Sequence, residues 1–360
     1  MEMKGVMLKI RKETAAFVKI DAATKLLREW CFIPLGSSGA DIFSIFSASM
    51  DNPPLNRLPI LSHQVDKLKL PPGRSPILIA DGGVGQDSAL AEWKTRNRLK
   101  HIRSEVIQII EEYDDLKMFA FFLAGFGGTG SGALIPILEL LSQYNIPIWL
   151  LVKIADAYRA SYRSIGNINH LLEGVERLWQ TCDDLNLCAT FVSDASESTF
   201  PLVNRRLANT ARAFFLAPLS DQVETINIVD RITDRCAGWS STVIHESVRL
   251  TDPQADVSAL ENKIRGALDR CVALTGIKYR FKEGPLAGYG VYSGPAEIVD
   301  NSIHIVQDAI RGLLAAKLQN VNSEDRSSPD CELWRLYDEG MDKLEVSVII
   351  KGIEIKYPKM

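Results

Sequence analysis

The chain has 360 residues, 46% hydrophobic and 24% charged, with 41 basic against 45 acidic side chains and a net charge of -4. This composition excludes a disordered chain, suffices for two domains with sizeable cores, and gives no footprint for general binding to nucleic acid or an acidic membrane. The cysteines Cys31, Cys182, Cys188, Cys236, Cys271 and Cys331 form no CxxC pair and read as reduced thiols; with no signal-like stretch and no run of about 18 apolar residues, a cytoplasmic protein without a transmembrane segment is expected.

Residues 1–29 read as an N-terminal extension. From Trp30, short apolar runs alternate with helical periodicity, which predicts a doubly wound α/β fold with a parallel sheet over residues 30–220. The predicted strands are Cys31 to Leu35, Leu58 to Leu61, Pro76 to Ala80, Met118 to Ala124, Ile146 to Val152 and Ala189 to Ser193. The predicted helices are Ala40 to Met50, Ser88 to Tyr113, Ser131 to Tyr144 and Ile165 to Cys182, followed by a long central helix within 221–250, from Asp221 to Val248. A smaller α+β domain over 251–360 is expected to hold helices Asp256 to Arg270 and Ala296 to Leu318. Its predicted strands are Val272 to Phe281, Tyr289 to Ser293 and Lys343 to Ile350, and Asn320 to Pro329 reads as a solvated loop.

In such sheets ligands gather beyond the carboxyl ends of the strands. There the run Gly125-Phe126-Gly127-Gly128-Thr129-Gly130-Ser131-Gly132 passes from strand to helix. Glycines let successive backbone N–H groups turn onto a phosphate, the helix N-terminus adds about half a positive charge, and Thr129 and Ser131 offer hydroxyls. No lysine follows, so the run is neither a P-loop nor a Rossmann fingerprint, and backbone and dipole would hold the phosphate. Two further loops follow predicted strands: Gly36-Ser37-Ser38-Gly39, and Gly82-Gly83-Val84-Gly85. Each alone is equally well a plain turn.

The run Gly127 to Gly132 resembles the GGTGSG signature of the tubulin/FtsZ superfamily, and the three loops come in that family's order, as in prokaryotic tubulin homologues of the FtsZ or CetZ kind. The resemblance implies a GTP/GDP-binding cytoskeletal protein that assembles head to tail into filaments, with GTP hydrolysis coupled to assembly and Mg2+ as a possible ion. An alternative is a nucleotide-binding structural or regulatory protein with little hydrolysis. The resemblance places Gly36, Ser37, Ser38 and Gly39 on one phosphate loop, Gly82, Gly83 and Gly85 on the loop around the terminal phosphate, and Arg163 as a phosphate clamp. It puts Asp194 against the ribose and Asn227 against guanine, with Val223 where an aromatic often stacks on the base. The family's water-positioning acidic loop is matched to Asp252 and Asp256, which would cap the nucleotide of a neighbouring subunit. Gln64 stands where the metal-assisting aspartate is usual, with Asp66 two residues later and His63 before it. Asp256 also reads as a helix cap, and Arg163, Asp194 and Asn227 each have ordinary surface or turn readings.

Overall fold

In the computed structural model, residues 29–50, 56–155, 160–182, 185–193, 200–216, 238–272, 278–281, 287–318, 330–351 and 353–356 are described. Strand β1 (Trp30–Pro34) leads into helix α1 (Gly36–Ala48); β2 (Ile60–Leu61) and β3 (Ile77–Leu78) follow, then α2 (Ser88–Glu112) and β4 (Met118–Ala124). Next come α3 (Gly128–Leu141), β5 (Ile148–Ile154), α4 (Tyr162–Thr181), β6 (Leu187–Ser193) and α5 (Phe200–Leu216). The rest is β7 (Gly238–Arg249), α6 (Pro253–Val272), β8 (Lys278–Phe281), β9 (Ala287–Gly294), α7 (Ala296–Leu318), β10 (Asp330–Tyr337), β11 (Lys343–Lys351) and β12 (Ile353–Lys356).

One eight-stranded sheet runs β1-β4-β5-β6-β7-β11-β9-β10, and the first five of these strands are mutually parallel. Strand β11 turns the direction, pairing antiparallel with both β7 and β9. Side chains alternate across each strand. In β4, Phe119, Phe121 and Leu123 join the core under α2, α3 and α4, while Met118, Ala120 and Phe122 join the core that holds α1 and α5. Both faces are therefore covered, which is why β1, β4 and β5 are buried from end to end. No helix among the described residues is long and apolar enough to cross a membrane.

Three expectations are corrected. The predicted central helix from Asp221 to Val248 does not extend over its end, since Gly238–Arg249 is strand β7; residues 221–237 lie outside the described residues. Ile244 and Val248 are spaced as on a helix face, but neighbouring Val243 and Ile244 enter opposite cores, a period of two that the β-branched run favours once β6 and β11 flank it. Among the described residues a helix that was not predicted, α5, packs across the sheet: its Val203, Leu207, Ala211 and Phe214 recur at helical spacing and are buried against α1 and the sheet. Finally, β10 lies in a stretch expected to hold no strand. Cys331 and Leu333 face one core and Trp334 the other, and β9 is its only pairing partner among the described strands.

Helix starts also move. Both α1 and α3 begin earlier than expected, at Gly36 and Gly128, so the glycines form first turns of helices instead of loops before them. The predicted strand Val272 to Phe281 shrinks to β8, because Val272 still belongs to α6.

Candidate functional site

Helices α1 and α3 start side by side at the carboxyl end of the sheet. A Cβ on Gly36, whose φ is +67°, would lie 2.9 Å from Thr129 Cβ. A Cβ on Gly39 would come within 2.2 Å of the Phe122 carbonyl oxygen, and one on Gly130 within 2.4 Å of that of Ala124. Only glycine permits both helices to press this closely on β4. Neither helix has a side-chain N-cap: Leu35 and Gly127 hold those positions and make no cap hydrogen bond. Elsewhere the chain does cap helices, through Asp87 on α2 and Ser161 on α4. Two adjacent first turns thus leave backbone N–H groups without a side-chain cap, a concentration of positive partial charge suited to an anion.

The loop 80–87 lies over this point. A Cβ on Gly128 would fall 2.5 Å from the Asp87 nitrogen, so the loop touches the start of α3 directly. Gly83, Gly85 and Gln86 have positive φ, and the Gly83 N–H donates to the Ser62 carbonyl at 2.7 Å. Gly82 and Gly85 face open space, with nothing within 4 Å of an added Cβ. The structure therefore brings together Gly36, Ser37, Ser38, Gly39, Gly82, Gly83, Gly85, Gly127, Gly128, Thr129, Gly130 and Ser131, which are scattered in sequence.

Several side chains are already engaged. The Ser131 hydroxyl donates to the Gly127 carbonyl at 2.6 Å, so its proton is spent there, and that of Thr129 shares a 2.6 Å bond with Ser62 in which either oxygen can donate. Arg163, expected as a phosphate clamp, donates to the Gly85 carbonyl at 2.9 Å and ties α4 to the loop; its side chain is otherwise exposed. Asn167 reinforces the tie, donating to the Gln86 and Phe126 carbonyls at 2.9 and 3.0 Å. His63 Nδ1 accepts from the Val65 N–H and caps a short 3-10 turn at Gln64–Lys69. From that turn Lys69 reaches the Ser37 hydroxyl and also pairs with Asp41 at 3.1 Å and Asp66 at 3.6 Å. Asp194, Val223 and Asn227 lie outside the described residues.

An aromatic and an asparagine do stand beside the glycine run, on α5. The Phe200 ring, 54% exposed, stacks on Phe126 with centroids 5.6 Å apart, and Asn204 follows four residues later. This is the same spacing as Val223 to Asn227, on a helix that sequence reading missed; the pairing of Phe200 with Asn204 after β6 was the available signal.

The acidic pair is placed differently from expectation. Strand β7 runs parallel to β4, β5 and β6, so Thr251 to Asp256 leave the sheet at the same end as the glycine run. They emerge three strands away, roughly 14 Å at ordinary strand spacing. A loop that closes a neighbour's site head to tail belongs at the opposite end. Moreover, the buried Asp256 carboxylate accepts from Thr251 N and Asp252 N at 2.6 and 2.8 Å and from the Thr251 hydroxyl at 3.0 Å. These bonds, led by the Thr251 backbone N–H, hold its pKa below the usual carboxylate value and spend its oxygens on the start of α6. Asp252 is exposed and accepts from the Gln254 N–H.

Strand order, helix placement and the glycine-lined helix starts define the tubulin/FtsZ-superfamily fold. No protein-family model and no curated protein matches the sequence. Solved structures do match: CetZ2 from Haloferax volcanii in a GTPγS-bound protofilament is 16% identical, with a TM-score of 0.64 over 91% of this chain and 93% of that one. The empty FtsZ dimer of M. jannaschii is 13% identical, with a TM-score of 0.65 over 92% and 93%. TubZ of Clostridium botulinum phage c-st is 16% identical, with a TM-score of 0.61 over 91% and 93%.

Proposed function

We propose that this chain is a GTP-binding cytoskeletal protein that assembles with itself, head to tail, into filaments. The observation that carries the binding is the pair of uncapped helix starts at Gly36 and Gly128, pressed together under the loop 80–87. Phosphate oxygens would accept from these N–H groups, and the exposed backbone at Gly82 and Gly85 would close over the terminal phosphate. Phe200 offers the base an aromatic face, and Asn204 a polar group one turn further along α5. Asp194, which follows β6 in the sequence, is the candidate ribose contact, with Asn227 a second candidate for the base. Arg163 is assigned to holding the phosphate loop through Gly85 instead of clamping phosphate itself. Assembly is supported by the likeness to CetZ2, described as a protofilament, over nearly the whole length of both chains.

Hydrolysis through Asp252 and Asp256 is not part of this reading, given their end of the sheet and the bonds of Asp256. That geometry favours the form in which nucleotide governs assembly and little is turned over by this loop. Mg2+ would arrive with the nucleotide: Asp41 on α1 and Asp66 on the 3-10 turn are both paired with Lys69 and offer no ready ligand set.

Electron microscopy and sedimentation of the purified protein with GTP, with GDP and without nucleotide test the reading. Filaments that need GTP support it, and a protein that retains no nucleotide under any condition refutes it. Phosphate release from Asp252→Ala should match the unaltered chain at each concentration.

A further inference from the structure

Lys153 ends β5 next to the glycine run and is only 2% exposed. Its ammonium donates to Asn204 Oδ1 at 2.8 Å and lies 4.4 Å from the Phe200 ring centroid and 5.4 Å from that of Phe126. An ammonium has donors only, so the Asn204 atom that meets it must be the oxygen, and the amide orientation follows from chemistry alone. Because Lys153 is buried, that oxygen is turned into the protein. The two amide termini diverge, so the nitrogen is turned away from Lys153. The cation also bridges both rings, which couples the aromatic wall and the amide into one unit.

Resting on the nucleotide-binding reading above, we propose that Lys153 determines base selectivity by engaging Asn204 Oδ1, so that the amide meets the base through its N–H donors. Guanine differs from hypoxanthine by one exocyclic amino group, which is a donor and needs an acceptor in the site. An outward amide oxygen would favour guanine at this point. An oxygen turned in to an ammonium does not, and the N–H groups instead seek ring nitrogens or a carbonyl, which both bases present. The site thus takes purine nucleoside triphosphates without separating GTP from ITP.

Calorimetric titration of GTP and of ITP into the full chain, below the concentration at which it assembles, tests this. The unaltered chain should bind the two within about threefold. Lys153→Met, which keeps an unbranched side chain of similar length and frees the oxygen, should favour GTP by about fivefold to tenfold, the range of one neutral hydrogen bond. Asn204→Asp, which turns a second oxygen outward while keeping the Lys153 contact, should also favour GTP. An unaltered chain that prefers GTP by more than about tenfold overturns the proposal, and this result needs no variant to fold. A folded Lys153→Met chain with the unaltered ratio overturns it as well. Binding of neither nucleotide rejects the broader reading and this inference with it, whereas tight, selective GTP binding rejects only the inference.

Discussion

The hydroxyls of Ser62 and Thr129 meet in a buried hydrogen bond of 2.6 Å, joining the loop after β2 to the first turn of α3 across 67 residues of sequence. Thr129→Val removes one partner and strands the other. The expected cost is about 1–3 kcal/mol, read as a lower denaturant midpoint with an unchanged slope. The double variant Ser62→Ala with Thr129→Val should recover much of it, since no polar group is then left unpaired; a double variant at the full sum of the single costs would contradict the bond's role.

The glycines divide into those needed for packing and those facing open space. A Cβ at Gly132 would lie 2.0 Å from the Ser88 carbonyl oxygen and 2.8 Å from Ala91 Cβ, so Gly132→Ala must push α2 off α3. A loss of about 1–3 kcal/mol is expected. Gly82→Ala meets nothing and should change stability by less than about 0.5 kcal/mol. Weaker nucleotide binding by a fully stable Gly82→Ala chain would mark that loop as a ligand contact.

Asp256 should matter to stability more than to turnover. Its folded pKa lies below the ordinary 3.8, so the ionised carboxylate stabilises the fold above that value, and the contribution is lost as pH falls through the lower folded value. Asp256→Asn should therefore unfold at a lower temperature than the unaltered chain at pH 7, with the gap closing as the pH drops below about 4. Equal melting temperatures at pH 7 would show that the three bonds to Thr251 and Asp252 contribute nothing.

His245 gives a slope in another window. It is half-buried between α5 and β11, with Nδ1 2.7 Å from the Ser347 hydroxyl and Nε2 3.1 Å from Asn209. Burial is the main cause of a pKa lowered from 6.5 to about 4; Glu345 opposes the shift, and Arg206, Lys343 and Arg212 add to it. The unfolded chain then binds a proton that the folded chain refuses, so stability falls as pH drops from about 6.5 to about 4, by about 3 kcal/mol in total. His245→Gln should flatten that part of the profile in urea titrations run across this range.

Much of the parallel half was legible in the chain. Met118–Ala124 is legible to the residue, and so, in the C-terminal part, is Ala296–Leu318, because a seven-residue apolar run and a long helical period leave little choice. The aromatic and the asparagine were not legible: Phe200 and Asn204 stand beside the glycine run on α5, while Val223 and Asn227 carry the same spacing in the sequence. Lys69 was overlooked for a different reason. Nothing local distinguishes it from other surface lysines until the 3-10 turn carries it to Ser37.

By itself the sequence determined which backbone segments could lie at the site, since the glycines at 36, 39, 128 and 130 are required by contacts that any side chain would break. Their order along the chain pointed to the tubulin/FtsZ fold. Only the tertiary structure decided what the polar groups do there. Ser131 turns its hydroxyl back to Gly127, Arg163 grips Gly85, Asp256 closes α6, and the Asn204 oxygen faces Lys153. A glycine's role follows from the absence of atoms, which is local, whereas a hydrogen bond needs a partner, and the partners of Arg163 and Asn204 arrive from 78 and 51 residues away.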